Sequence, residues 1–139
     1  MEQTGLKVAP EAAAQEVERW LEYKKVGAGK REAYAGNIKQ LADAISTGVL
    51  SLNEKFELVQ ELKFPIISDE GKINITQLVY KPRLSVGAVQ AQMSGVKAGD
   101  GDGRVNAIAA ALTGQLKAII AKLDTEDYSV VNDIVLFFI

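Results

Sequence analysis

The sequence predicts an α+β fold: an N-terminal helical hairpin, a small antiparallel β-sheet of two or three strands, and a C-terminal helical part. Three observations carry this reading. Apolar residues recur at spacings of three and four as far as Gly48. They alternate at a spacing of two from Val49 to Val79. Helical spacing returns beyond Lys81-Pro82.

The first helix starts at Pro10, whose fixed φ suits a first turn, and carries Ala13, Val17, Trp20, Leu21 and Lys24 on one stripe. Gly27 and Gly29 break it. A second pattern begins near Lys30, sets Tyr34, Ile38, Leu41 and Ile45 on one face, and closes at Gly48, a residue suited to the left-handed end of a helix. Phe56, Leu58, Leu62 and Phe64 then alternate with Glu57, Glu61 and Lys63, the pattern of a half-buried strand, with Pro65 at its end or on an edge. Asp69-Glu70-Gly71-Lys72 is a turn signal, Ile73, Ile75 and Val79 supply the next strand, and Val49 to Leu52 is a candidate third. A two-stranded hairpin is marginal in water, so helices must cover its apolar face.

Ser85 caps a short helix holding Val86, Val89 and Met93, and the segment from Gly95 to Gly103 reads as a mobile loop. Val105, Ile108, Ala109, Leu112 and Leu116 mark a helix that breaks near Thr113-Gly114 and resumes through Ile119, Ile120 and Leu123. Asp124 to Asp127 opens the last helix, where acidic residues suit the N-terminus, and Tyr128, Val131, Ile134, Val135 and Phe138 form its stripe. Residues 1–48 are thus a helical hairpin and residues 49–139 a β-hairpin with helices, and the two are able to form one compact unit.

Composition narrows the function. A chain of 139 residues, 47% hydrophobic and 24% charged, can bury a core without disulfides or structural metals, and it has neither cysteine nor histidine. Its 16 basic and 18 acidic side chains leave a net charge of -2, spread so that no field favours nucleic acid or anionic lipid. The start from Met1 to Pro10 lacks a secretory apolar run, and no stretch approaches the roughly 20 apolar residues of a membrane span. A cytoplasmic protein without membrane contact is the expectation.

Each motif with the outline of a chemical site lacks a named part. Asp100-Gly101-Asp102-Gly103 has alternating aspartates, but a calcium loop starting there needs an oxygen ligand at Arg104, glycine at Val105 and glutamate at Ala111. Gly27-Ala28-Gly29-Lys30 resembles a phosphate loop, yet it has Lys24 where the first glycine belongs, Arg31 in place of a hydroxyl, and a helix in place of the preceding strand. Lys24, Lys25, Lys30 and Arg31 gather at the first helical turn, as in a DNA-binding hairpin, but Glu16, Glu18, Glu22 and Glu32 oppose a phosphate backbone. Asp124, Glu126 and Asp127 read as helix-start residues rather than an acid–base pair. No catalytic, cofactor-binding or metal-ligating residue is expected, and no enzyme activity. Val135-Leu136-Phe137-Phe138-Ile139 is apolar all round, so it is either buried on every side or partly a contact surface.

From Phe64-Pro65-Ile66 through the turn at Gly71, the strand Ile75-Thr76-Gln77-Leu78, Lys81-Pro82-Arg83, Val86-Gly87, Leu112-Thr113-Gly114, Leu123-Asp124 and Asp127-Tyr128, the chain resembles the tail assembly chaperones of Mu- and P2-like contractile-tailed phages. The likeness covers about residues 64–138 and leaves the N-terminal hairpin without a counterpart. It implies a non-enzymatic protein of the host cell cytoplasm that binds the tape measure protein, or other tail proteins, and helps the tail tube assemble. Val131, Ile134, Val135 and Phe138 are the candidate partner-binding residues, with core packing as the competing account. A structural tail or baseplate component retained in the virion is the alternative and a DNA-binding hairpin the lesser one. Homo-oligomerisation stays open.

Overall fold

The computed structural model describes residues 6–67, 70–72 and 74–139. Met1 to Gly5, Asp69 of the turn signal and Ile73 of the second strand lie outside the described residues. Pro10 occupies the first turn of α1 (Pro10–Lys24), which buries Ala13, Val17, Trp20 and Leu21 as one stripe. The helix closes before Gly27, because Lys25 itself turns left-handed at φ 59 and its N–H donates to the Glu22 carbonyl at 3.0 Å. Gly29 therefore lies inside a short α2 (Ala28–Ala33), and Tyr34 separates it from α3 (Ala35–Ser46). The second expected helix is thus two, and the bend at Tyr34 lets its ring meet Phe137 edge-on at 5.5 Å. α3 buries Leu41 and Ile45 and packs on α1. Gly48 follows at φ +82, where a Cβ would come within 2.6 Å of Lys7 Cδ.

The sheet is antiparallel in the order β1 (Leu50–Leu52), β2 (Leu58–Ile67), β3 (Asn74–Tyr80). Asn53 builds the first turn, its Oδ1 accepting from the N–H groups of Lys55 and Glu57 at 2.9 Å each. Phe56, expected within the strand, precedes it at φ 62 and stacks on Tyr23. β2 buries Leu58, Gln60 and Leu62, then breaks register: Leu62, Lys63, Phe64 and Pro65 stand opposite Thr76 alone. Pro65 has no N–H for a ladder, and the bulge accommodates it. The facing differs from the expected one. Phe64 is 54% exposed and Ile66 points inward instead, while Leu78 and Tyr80, rather than Ile75 and Val79, are the fully buried residues of β3.

The C-terminal half is helical. Ser85 Oγ accepts from the Ala88 N–H at 3.1 Å and starts α4 (Val86–Gln92). The end of the segment read as a mobile loop is instead the start of α5 (Gly101–Thr113), because Asp100 caps it, accepting from the Gly103 N–H at 2.9 Å. A Cβ at Gly103 would collide with that carboxylate, so the glycine makes the cap sterically available. α5 is buried from Ala107 to Leu112 and ends at Gly114, φ 73. α6 (Lys117–Ile120), α7 (Thr125–Val135) and a 3-10 turn (Leu136–Phe138) follow. One contiguous core joins Trp20 and Leu41 of the hairpin to Leu58 and Leu78 of the sheet and to Ile108, Leu112 and Ile134 of the later helices. The class is α+β, and among the described residues no helix is long and apolar enough to cross a membrane.

Candidate functional site

Two polar links fix the last helix. Asp127, fully buried in the first turn of α7, receives the Lys63 N–H at 2.8 Å and the Phe64 N–H at 3.0 Å, the two donors that the β2 bulge releases from the ladder. Its own carbonyl accepts from Gln60 Nε2 at 3.0 Å, and the Tyr80 hydroxyl donates to Gln60 Oε1 at 2.6 Å. Burial, with the Asp127 charge adding to it, holds the Tyr80 phenol far above its ordinary range. Asp133 is the second link. Asn37 Nδ2 donates to it at 2.7 Å, and the Gln40 amide, oriented to satisfy both groups, donates at 2.8 and 3.2 Å. Burial raises the Asp133 carboxyl, and the Asn37 hydrogen bond offsets part of that rise. Both networks are closed on themselves, so they clamp α7 to β2 and α3 rather than offer a reactive group.

The 3-10 turn that α7 carries forms one wall of an open groove of about 550 Å³. Its apolar surface comes from Phe138 and from Val89 and Met93 of the α4 region, with the buried Phe137 and Ile108 of α5 also on the lining, while Lys24, Arg83 and Arg104 bring positive charge from three parts of the chain. Asp and Glu side chains are missing from its lining, and among the described residues none of the three cations is ion-paired with a carboxylate. Lys24 Nζ lies 3.3 Å from the centroid of the Phe138 ring, a cation–π contact. Burial lowers the Lys24 amine to about 8, and the like charges of Lys30 and Arg83 add to the effect. A ring face compensates an ammonium less than a carboxylate would. The groove therefore sets three cations without a side-chain carboxylate partner beside apolar surface, with Ile139 on the same lining.

The four candidate contact residues separate here. Val131, Ile134 and Val135 have no exposed surface and are core residues in this fold, because the inner face of α7 is turned onto α3, α5 and the sheet. Phe138 is half-buried and lines the groove. The apolar end resolves in the same way: Phe137 is buried against Trp20 and Tyr34 by edge-on contacts at 5.6 and 5.5 Å, and Ile139 is 49% exposed at the groove. Trp20 Nε1 is buried without a hydrogen-bond partner.

The other motifs find structural roles. Of the basic turn, Arg31 donates to both carboxylate oxygens of Glu18 at 2.8 Å, holding that carboxyl below its ordinary value, and Lys30 Nζ donates to the Ile139 main-chain oxygen at 3.1 Å. Asp124 Oδ1 accepts from the Glu126 N–H at 2.9 Å as the cap of α7. Gly27 precedes α2 with a bare backbone cap. In the sequence Arg104 stands where a calcium loop would need an oxygen ligand, and Arg83 appears only within Lys81-Pro82-Arg83. Nothing in their spacing from Lys24 signals a shared groove. Comparison of the chain with protein families, characterised proteins and solved structures finds no match.

Proposed function

We propose that this protein is a non-enzymatic assembly chaperone that holds an apolar segment of a partner, with the phage tape measure protein as its client during tail assembly. The observation that carries the reading is the open groove, whose apolar wall joins Phe138, in the turn that follows the clamped α7, to Val89 and Met93 of the α4 region. Concave apolar surface with a few placed polar groups is the usual form of a binding site, and a holdase gains its effect by mass action on the bound client. The order of residues from Phe64 to Tyr128, similar to that of the tail assembly chaperones, supports the same reading and supplies the client.

Co-expression with the tape measure protein of the same genome tests it. The soluble fraction of that protein rises under this reading, and an unchanged fraction rejects it. Mass spectrometry of purified particles decides between a helper, absent from the particle, and a tail component present in stoichiometric copies.

A further inference from the structure

We infer that the groove receives an acidic amphipathic helix, whose apolar residues settle on Phe138, Val89 and Met93 while its carboxylates meet Lys24, Arg83 and Arg104. The inference rests on the protein-binding reading above and specifies the chemistry of the partner.

Charge complementarity is the first ground. The chain as a whole is acidic, at a net charge of -2. Several of its other cations are neutralised within the fold: Arg19 by Glu16 at 3.0 Å, Arg31 by Glu18 at 2.8 Å and Lys39 by Asp43 at 3.3 Å. The groove departs from this pattern, with three cations on its lining and no side-chain carboxylate. Burial is the main cause of the lowered Lys24 amine, the like charges of Lys30 and Arg83 add to it, and an anionic partner relieves that added repulsion. The second ground is the apolar surface between the charges, which gives phosphate or free carboxylate little to bind but accepts leucine- or phenylalanine-sized side chains. The third is shape: helices, loop and terminal turn line the groove and no strand contributes, so a helix can lie in it while strand addition has no edge to use.

Selection of a displayed library of random peptides of about 16 residues, long enough for roughly four helical turns, on the intact protein tests the inference. The expected consensus has apolar residues at i, i+3 or i+4, and i+7 with Asp or Glu flanking them. The synthetic consensus peptide, followed by fluorescence anisotropy, should weaken at least ~tenfold against the Arg83→Glu/Arg104→Glu variant and weaken with added salt. Both arginines are exposed, so the variant should fold, which circular dichroism checks. An empty selection, a basic or uncharged consensus, or undiminished binding to the variant overturns the inference. So does a dimer in sedimentation, or binding of duplex DNA, that the variant abolishes, since the groove would then serve a second copy or a nucleic acid. Failure of the chaperone reading is separable, appearing as peptide binding that survives while the tape measure protein gains no solubility.

Discussion

Asp127 shows how one side chain can serve two elements. A carboxylate at the start of α7 suits the helix N-terminus, and its two oxygens also take the N–H groups that the bulge of β2 leaves without ladder partners. Asp127→Ala leaves both donors without that carboxylate in a part-buried place, so unfolding in urea should show a loss of about 2 kcal/mol. Lys24 has the opposite sign. Its amine sits at about 8 in the folded protein against 10.5 ordinarily, so between those values the unfolded chain binds the proton more tightly. Its penalty is present in full below pH 8 and is relieved as pH rises toward 10.5. The whole difference corresponds to about 3 kcal/mol, and solvent screening of this part-exposed group with its cation–π contact reduces it to about 1. Lys24→Met should therefore stabilise by about 1 kcal/mol at pH 7, and the gain should shrink at pH 9.5 when urea midpoints are compared.

At the scale of elements, helix ends decide more than helix stripes. Glycine and aspartate around Asp100-Gly101-Asp102-Gly103 look like loop composition, yet they assemble a cap, because Asp100 satisfies one N–H that the first turn of α5 leaves open. Asp100→Ala should cost about 1 kcal/mol and lower the thermal midpoint, while leaving the rest of α5 helical by circular dichroism. Conversely, Gly27 and Gly29 look like a helix end, yet Lys25 provides the left-handed residue two positions earlier. The β2 bulge has a sequence sign in Pro65, but its size does not, since a proline forbids one ladder bond without stating how many residues will loop out. For that reason alternation placed Phe64 inward, and the fold placed Ile66 there.

For the whole molecule, the packing of Trp20 on Phe137 and Phe138 is the decisive contact, because it joins the first helix to the last turn across more than a hundred residues of chain. Trp20 is the single tryptophan, so its fluorescence reports on that junction. If hairpin and mixed region share one core, fluorescence and far-UV circular dichroism should unfold together in urea, and two separated transitions would show two units. Phe137→Ala removes the ring that both Trp20 and Tyr34 meet edge-on. It should cost about 3 to 5 kcal/mol and shift the fluorescence transition to lower urea.

Periodicity and end signals, which act over a few residues, made much legible in the sequence: the α+β class, the stripes of α1, α3 and α7, the cap at Ser85 and the break at Gly114. The exposure of Phe64 and the role of Asp127 depended on the bulge, where β2 leaves its register with β3 and meets α7. The sequence also offered two equal accounts of the apolar end, core or contact. Tertiary packing divided them, burying Val135 and Phe137 and leaving Phe138 and Ile139 beside Lys24, Arg83 and Arg104. Local pattern determines which face of a segment is apolar, whereas convergence of distant charges on one groove exists only after the chain has closed on itself.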